Sequence, residues 1–382
     1  MNYRVTCLTP TLVGDGQRLS PIDYMVWKDQ VNVLDQRRIF RLLAKGPRLD
    51  GYLSQLKKSE RLDFASWGGF AQNFAGRRIP FEHASMTACW ERAHAENLFI
   101  PTFATSPAGP FLPGSAIKGA LRTGAVHAQW TARGMAGVAA QTADSDPRAI
   151  RRTWAAAEDS ALGQGGANTM RLVSASDSSP VPTSSFRVYL LRVSTLVPRG
   201  QQFELGWKQA PRGSSKRAED GTPAFAEMAD PGAVFEGSWR ESGFLASQEI
   251  ARALKRSKAA SRKAIFDAVN GCAAQQLTLH KQYAEWAGLP RLAEYVAALA
   301  ARLEEIRARE NTCLTCIGWG GGFLSKSGFL DTSDSSFRTV LKQSGIYARA
   351  IQSGLPFPKT RRIVFLNNEP ATLPGWVSLE IE

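Results

Sequence analysis

The sequence predicts an α+β fold with two domains. Apolar residues make up 43% of the 382 residues, which is enough to form a buried core of ordinary size. Strand-like and helix-like segments follow one another without a regular strand–helix–strand repeat, so a doubly wound parallel sheet is not expected. The length corresponds to about 2.5 typical domains, and we therefore expect two.

Alternation of apolar and polar residues predicts the strands, and apolar residues three or four apart predict the helices. The predicted strands are 3–8, 23–27, 31–34, 186–194, 361–366 and 376–381. The predicted helices are 35–43, 116–130 and 246–310, the last with a break at Gly288-Leu-Pro290. Asp35 and Ser115 are the predicted N-caps of the first two helices.

The charge balance favours a polyanionic partner. Lys and Arg number 47 against 34 Asp and Glu, which gives a net charge of +13. Nucleic acid and an anionic surface are the partner classes that such a surplus indicates, and a soluble enzyme with a basic composition is the alternative. One segment, 251–263, has six bases and no acid; the alternative for this segment is a solvated helix face.

The sequence predicts a cytoplasmic protein without a metal or another cofactor. It has no run of about 18 apolar residues and no signal sequence at its start. Five cysteines form a sparse, odd set that is typical of reduced thiols. Cys313 and Cys316 have the spacing of half a zinc site, but there is no second such pair, and the nearest histidine is His280. We therefore favour a structural role for these cysteines over a metal site.

The first candidate binding motif lies at the start of the second predicted helix. Pro113-Gly114 turns the chain, and Ser115 begins a helix whose free N–H groups could bind an anion. Lys118 and Arg122 are four residues apart and share one helix face, and Gly119 would allow a close backbone approach. The alternative is an ordinary capped helix with two solvated bases.

The second candidate binding motif is a glycine-rich segment near residue 320. Its four glycines within five positions are Gly318, Gly320, Gly321 and Gly322. Glycines leave backbone amides uncovered and adopt left-handed conformations, which suits a backbone nest around phosphates. Lys326 follows the segment and could add a cation. The alternative is a glycine-rich turn without a ligand.

Together the two motifs resemble a known family. Residues 113–123 resemble the PGSSIKGALR segment of the RAMP superfamily of CRISPR proteins, and residues 318–323 resemble its glycine-rich loop. Segments 8–16, 20–24 and 33–35 are similar to one group within it, the subunits that close the 3′ end of the crRNA in type III-A (Csm) effector complexes.

The resemblance implies two ferredoxin-like (RRM-like) modules, 1–170 and 171–382, the second with a helical insertion at about 246–310. It also implies an RNA-binding subunit that supports crRNA maturation without cutting RNA itself. The implied partners are the crRNA, target RNA indirectly through the guide, the backbone RAMP subunit, the small helical subunit and host nucleases, with no membrane.

The resemblance is carried over to eight positions of this sequence, and we add a ninth. The residues implied to contact RNA, or to anchor the loop that does, are Gly114, Ser115, Lys118, Arg122, Gly318, Gly320, Gly321 and Gly322, and Lys326 is our own extension of the motif. No catalytic residue and no metal ligand is implied among them.

Two alternatives stay open. The first is a metal-dependent endoribonuclease, because in the related backbone subunit a catalytic aspartate lies in an extended loop after the first strand. Asp23 lies in a comparable stretch, but the residues after it, Tyr24 to Trp27, predict a strand instead of an open loop, so we expect no catalysis there. The second alternative is a RAMP subunit of another type III complex.

Overall fold

The computed structural model describes residues 1–58, 73–143, 146–200, 202–256 and 259–382. Its strands are β1 (Asn2–Cys7), β2 (Arg18–Leu19), β3 (Tyr24–Val26), β4 (Gln30–Leu34), β5 (Ala75–Pro80), β6 (Ile100–Pro101), β7 (Thr105–Ser106), β8 (Gly109–Pro110), β9 (Val173–Ala175), β10 (Phe186–Arg199), β11 (Gln202–Lys208), β12 (Ser214–Ser215), β13 (Ala224–Ala229), β14 (Val234–Glu241), β15 (Thr312–Cys316), β16 (Thr360–Leu366), β17 (Glu369–Thr372) and β18 (Trp376–Ile381). Its helices are α1 (Gln36–Leu43), α2 (Leu49–Lys58), α3 (Met86–Arg92), α4 (Gly114–Gln129), α5 (Ala132–Gln141), α6 (Pro147–Leu162), α7 (Gly243–Ala246), α8 (Gln248–Ala253), α9 (Arg262–Ala287), α10 (Pro290–Arg307), α11 (Ser335–Gln343) and α12 (Ala348–Gln352). This mixture of helices and strands confirms the predicted α+β class.

The first sheet, sheet 1, joins the two ends of the chain. Its strand order is β15-β18-β1-β14-β9, and all of its pairs are antiparallel. Tyr3 in β1 lies opposite Gly237 on one side and Ile381 on the other. Residues before 170 therefore contribute the middle strand of a sheet whose other strands all follow residue 170. The division into modules 1–170 and 171–382 stays a prediction.

The second sheet, sheet 2, has the order β12-β11-β10-β16-β17, with β13 also paired to β10. Strand β10 is the predicted strand 186–194, extended to Arg199. Its register places Val193 opposite Arg362 and Ser194 opposite Arg361. Ser194 also lies opposite Trp207 of β11, so β10 separates the two consecutive arginines of β16 from the end of β11 by one strand.

The hairpin predicted near the N-terminus is confirmed. Strands β3 and β4 are antiparallel, and the turn between them places Lys28 and Asp29 at φ +51° and +56°. The predicted cap of α1 is confirmed too, because Oδ1 of Asp35 accepts a 3.0 Å hydrogen bond from the Arg38 N–H.

The predicted helix over 246–310 is divided three times instead of once, first at Ser247 between α7 and α8. The break at Gly288 is confirmed, since this residue ends α9 at φ +62°. Another break lies between α8 and α9, and the Ser261 hydroxyl caps α9 by accepting from the Ala264 N–H at 3.2 Å. The basic segment 251–263 is therefore not one continuous helix face; Lys258 within it lies outside the described residues.

Helix α9 packs against α4 and against the edge of sheet 1. A Cβ on Gly124 of α4 would lie 2.6 Å from Cα of Val269, so glycine allows α4 and α9 to approach closely. Asn270 of α9 accepts a 2.9 Å hydrogen bond from the Leu314 N–H, which covers the edge strand β15. None of the described helices is long and apolar enough to cross a lipid bilayer.

Candidate nucleic-acid interface

The glycine-rich segment lies against the N-terminal part of the chain. The Trp319 N–H donates a 2.7 Å hydrogen bond to the carbonyl oxygen of Leu12. Gly318 has φ +73°, and a Cβ at this position would lie 2.0 Å from the same oxygen. Glycine is required here because no side chain fits between the two backbones.

The other glycines of the segment differ in how far they are covered. A Cβ on Gly320 would lie 2.6 Å from Cγ of Pro374, and one on Gly321 would lie 2.4 Å from Oγ of Ser325. Gly322, at φ +71°, has nothing within 4 Å of its Cβ position and is exposed. A side chain would therefore collide with the protein at Gly318, Gly320 and Gly321 but not at Gly322. That the backbone amides of these four glycines contact RNA stays a prediction.

A cavity of about 390 Å³ opens beside this segment, and we call it the cation cavity. Gly320, Gly321 and Gly322 form part of its wall. Its cationic side chains are Lys208 at the end of β11, Lys359 just before β16, and Arg361 and Arg362 within β16. No Asp or Glu lies among the described residues that line it. The cavity is therefore an electropositive site with backbone glycines on one side.

Arg361 is a buried cation whose described partners are all neutral. Its side chain is 7% exposed and lies over the Tyr283 ring, 4.5 Å from the centroid. Nε donates to Nδ1 of His280 at 2.9 Å, and Nη1 donates to the carbonyl oxygens of Pro358 and Thr360 at 2.7 and 2.9 Å. Burial lowers the pKa of Arg361 to about 10, so the side chain stays charged at neutral pH. A buried charge without a counterion favours an anion in the adjoining cavity.

The other cations of the cavity are also left without acidic partners in the described chain. Burial lowers the pKa of Arg362, and its guanidinium lies 4.0 Å from the centroid of the Trp319 ring. Its Nε is buried and finds no hydrogen-bond acceptor within the described ranges. Burial and the neighbouring Lys208 both lower the pKa of Lys359. Mutual repulsion of this kind would be relieved by a phosphate between the two lysines.

Sequence reasoning missed all four of these cations. Lys208 and Lys359 lie in segments that resemble ordinary strand ends, and only the register of sheet 2 brings them together. A usable signal was present at Arg361-Arg362, because two consecutive bases begin an otherwise apolar strand. Since successive strand residues point to opposite faces, one of the two arginines had to face the interior.

The start of α4 differs from the prediction. The helix begins at Gly114, and Pro113 is its N-cap residue, so Ser115 lies one residue inside the helix and is exposed. The prediction that Ser115 caps the helix is wrong, because Oδ1 of Asp177 accepts a 2.9 Å hydrogen bond from the Gly114 N–H. A Cβ on Gly114 would lie 2.3 Å from the Ala175 carbonyl oxygen. An intramolecular carboxylate therefore already interacts with this positive helix end.

The two bases of α4 have different surroundings. Arg122 donates to Oε2 of Glu158 at 2.6 Å and to Oδ1 of Asp159 at 3.0 Å, which fastens α4 to α6. Lys118 is half-buried and forms no ion pair with any residue of the described chain. Of the two, Lys118 is the cation that is free to bind a phosphate. Gly119 next to it has open space at its Cβ position.

A short segment of the N-terminal chain connects the two motifs. Leu12 accepts the hydrogen bond from Trp319, and the next carbonyl, that of Val13, accepts from the Ala104 N–H at 2.9 Å. The Ala104 carbonyl in turn accepts from the Phe111 N–H at 3.0 Å, three residues before Gly114. The exposed Lys326 follows the glycine segment. The chain beyond Lys326 returns to α4, where the His127 ring contacts the Gly328 carbonyl at 2.9 Å.

The cysteine pair Cys313-x-x-Cys316 has the surroundings of core residues. Cys313 packs in the cluster around β1 and Cys316 in the cluster around α10, on opposite faces of β15. Burial raises the pKa of both thiols, that of Cys316 to about 11. Thiols with such pKa values stay protonated at neutral pH and are poor metal ligands.

Comparison with known proteins assigns the family. No curated protein matches the sequence. The family model described as "RAMPs: RAMP superfamily" matches residues 4–270, which is more than half of the chain. The chain belongs to the RAMP superfamily.

This RAMP-superfamily protein is also similar to solved structures over its whole length. One is a chain of the cryo-EM structure of the Csm–crRNA–target RNA ternary complex in a type III-A CRISPR-Cas system, with a TM-score of 0.67 and 18% sequence identity, covering 100% of both chains. Another is the crystal structure of T.onnurineus Csm5, with a TM-score of 0.58 and 16% identity, covering 98% of this chain and 99% of that one. These likenesses establish a shared fold.

Proposed function

We propose that this RAMP-superfamily protein is a non-catalytic crRNA-binding subunit of a cytoplasmic type III-A CRISPR complex. In this role it closes the 3′ end of the guide and supports crRNA maturation. The cation cavity is the main support, because it combines Gly320–Gly322 with four cations and no described acid. The full-length likeness to subunits of Csm complexes supports the type III-A assignment.

The proposed mode of binding is electrostatic and independent of RNA sequence. A backbone phosphate in the cation cavity would compensate Arg361 and the buried Nε of Arg362, and would reduce the repulsion between Lys208 and Lys359. Nothing in this arrangement reads a base edge. Sequence specificity then belongs to the guide, through which the protein meets target RNA.

We assign the α4 bases different parts in binding. We propose that Lys118 adds a phosphate contact and that the exposed Ser115 and Lys326 add further contacts to the RNA. Arg122 is a positioning residue, because its guanidinium is already paired with Glu158 and Asp159. The backbone RAMP subunit, the small helical subunit and host nucleases are the protein partners of this proposal.

A non-catalytic role is supported by the surroundings of Asp23. Its Oδ2 accepts from the Ser20 N–H at 2.7 Å and from the Ser20 hydroxyl at 2.6 Å, and its Oδ1 accepts from Nε2 of Gln36 at 2.8 Å. The described residues contain no group of three side chains that could hold a metal ion. A carboxylate used in this way shapes the turn before β3 instead of organising an attack on RNA.

The experiment that tests the function is sequencing of the RNA that the chain retains. The chain is purified from cells that express the complete complex with its guide array. We expect short RNAs with a common repeat-derived 5′ tag, and complexes assembled without this chain should hold guides with longer, uneven 3′ ends. Retained RNA without the tag, or unchanged 3′ ends in its absence, would contradict the proposal.

A second assay addresses catalysis directly. The purified chain is incubated with labelled single-stranded RNA and magnesium. We expect the RNA to stay intact. Cleavage that disappears in an Asp23→Asn variant would assign the chain to the endoribonucleases instead.

A further inference from the structure

A second cavity, of about 560 Å³, opens between the end of α3 and the segment 209–223 that connects β11 to β13. It shares no lining residue with the cation cavity. The neighbouring β10 residues Arg192 and Val193 point to opposite faces of the strand, and Arg192 lines the second cavity. We call this second site the Arg192 cavity; its arginines are Arg92, Arg192, Arg212 and Arg217, and His94 lines it as well.

Arg192 is a buried charge with neutral hydrogen-bond partners. Its side chain is only 6% exposed. Nε donates to the Gly221 carbonyl oxygen at 3.1 Å, and one Nη lies 3.4 Å from the thiol of Cys89. The guanidinium also lies 4.9 Å from the centroid of the Phe365 ring. Such a charge is costly to bury unless an anion meets it.

The acidic residues of the cavity do not supply that anion. Glu219 pairs with Arg217 at 3.5 Å on the surface, and both side chains are more than two-thirds exposed. Oδ2 of Asp220 accepts from the Ser215 hydroxyl at 2.8 Å. Glu96 is exposed at the rim. Within the described chain, no carboxylate lies in ion-pair contact with Arg192, although Glu219 is near enough to raise its pKa against the larger effect of burial.

We propose that the Arg192 cavity binds the phosphate group of a nucleotide. The planar guanidinium fork matches two phosphate oxygens, and Arg212 at the exposed rim adds a second cation. The amide side chains of Asn97 and Gln209 line the same cavity and have the donors and acceptors that a base edge requires. A volume of about 560 Å³ is within the usual range for small-molecule sites. This inference does not depend on RNA binding at the cation cavity.

The nucleotide could be the phosphorylated end of an RNA strand or a free mononucleotide. Isothermal titration calorimetry of the full chain distinguishes the two sources with defined probes. These are adenosine 5′-monophosphate, adenosine, inorganic phosphate, and a five-nucleotide RNA with either a 3′-phosphate or a 3′-hydroxyl. A Lys208→Ala/Lys359→Ala background removes two cations of the cation cavity, so that failure of the proposed function does not affect the result.

Three variants connect binding to the cavity. Arg192→Met keeps a flexible apolar side chain and removes the buried charge, and since Arg192 has no counterion among the described residues, the variant leaves no unpaired carboxylate and should fold. Arg212→Ala changes an exposed residue and preserves the fold. Arg240→Ala on β14 is the matched control, since Arg240 is exposed and lies outside the cavity.

We expect adenosine monophosphate to bind and adenosine to fail. Arg192→Met should weaken binding about tenfold or more, Arg212→Ala about threefold, and Arg240→Ala should leave it unchanged. If the 3′-phosphorylated RNA binds more tightly than adenosine monophosphate, the ligand of the cavity is the end of an RNA strand. If adenosine monophosphate binds more tightly, the ligand is a free nucleotide. The proposal is overturned if no phosphate-bearing probe binds, if adenosine binds equally well, or if Arg192→Met and Arg212→Ala both bind like the parent protein.

Discussion

Nε of Arg361 donates a 2.9 Å hydrogen bond to Nδ1 of His280, and both side chains are buried. The contact requires a neutral imidazole, because only an unprotonated Nδ1 can accept the bond. Burial and the nearby Arg361 charge hold the pKa of His280 well below its ordinary value.

This contact predicts a stability that depends on pH. In the unfolded chain His280 takes up a proton near pH 6.5, whereas in the folded protein it does not. The unfolded state then binds more protons, so the free energy of unfolding should fall as the pH drops below about 6.5, by up to about 1.4 kcal/mol per pH unit. Urea unfolding between pH 8 and pH 5.5 measures this slope. His280→Gln should flatten it, and an equal slope in the variant would rule out His280 as its source.

The cation cavity predicts a change in the salt dependence of RNA binding. Lys208→Ala with Lys359→Ala should weaken binding of single-stranded RNA and reduce the slope of log K against log salt by about 1.4, or about 0.7 for each lost phosphate contact. Fluorescence anisotropy at several salt concentrations gives both quantities. The control is Lys263→Ala with Arg307→Ala, which removes two exposed cations outside the cavity. Equal slopes for the two double variants would place the RNA elsewhere.

The glycine segment predicts unequal costs for two similar substitutions. Gly318 and Gly322 have φ angles of +73° and +71°, so alanine should cost about 1–2 kcal/mol of backbone strain at either position. Gly318→Ala should cost clearly more, since its Cβ would also collide with the Leu12 carbonyl. Chemical denaturation measures the loss in the free energy of unfolding for both variants. Equal losses would mean that the Leu12 backbone can move aside freely.

The two bases of α4 predict a separation between stability and binding. Arg122→Ala breaks the ion pairs to Glu158 and Asp159 and should lower the free energy of unfolding by about 1 kcal/mol. Lys118→Ala should leave stability unchanged and weaken RNA binding, and Lys118→Arg should restore the affinity. Thermal melts and RNA titrations on the same samples make the comparison. Full RNA affinity in Lys118→Ala would remove this residue from the interface.

Local signals in the sequence predicted part of the local structure. Of the strands in the two sheets, the sequence predicted β1 and β18 of sheet 1 and β10 and β16 of sheet 2. The hairpin turn at Lys28 and Asp29 and the helix end at Gly288 also lie where their residue types suggest. These features depend on neighbours within a few positions. A single sequence carries enough information for them because backbone preferences act over that range.

Several features that the sequence did not predict depend on distant partners. The side chain that accepts from the first N–H of α4 is that of Asp177, 63 residues after Gly114, and not that of Ser115. The carboxylate of Glu158, which accepts from Arg122, lies 36 residues after it in the sequence. The cation cavity needs the register of three strands before its members become neighbours. Spacing along the chain identified the glycine segment, but it could not tell which glycines serve internal packing and which stay open.

The pairing of Asn2 with Glu382 has a consequence for how sheet 1 forms. The Asn2 N–H donates to the Glu382 carbonyl at 3.1 Å, and the Glu382 N–H donates to the Asn2 carbonyl at 2.9 Å. Strand β1 is synthesised well before one of its two neighbours, β18. Sheet 1 therefore cannot be completed until β18 has been made, and until then β1 exposes an unpaired edge to chaperones or to premature association.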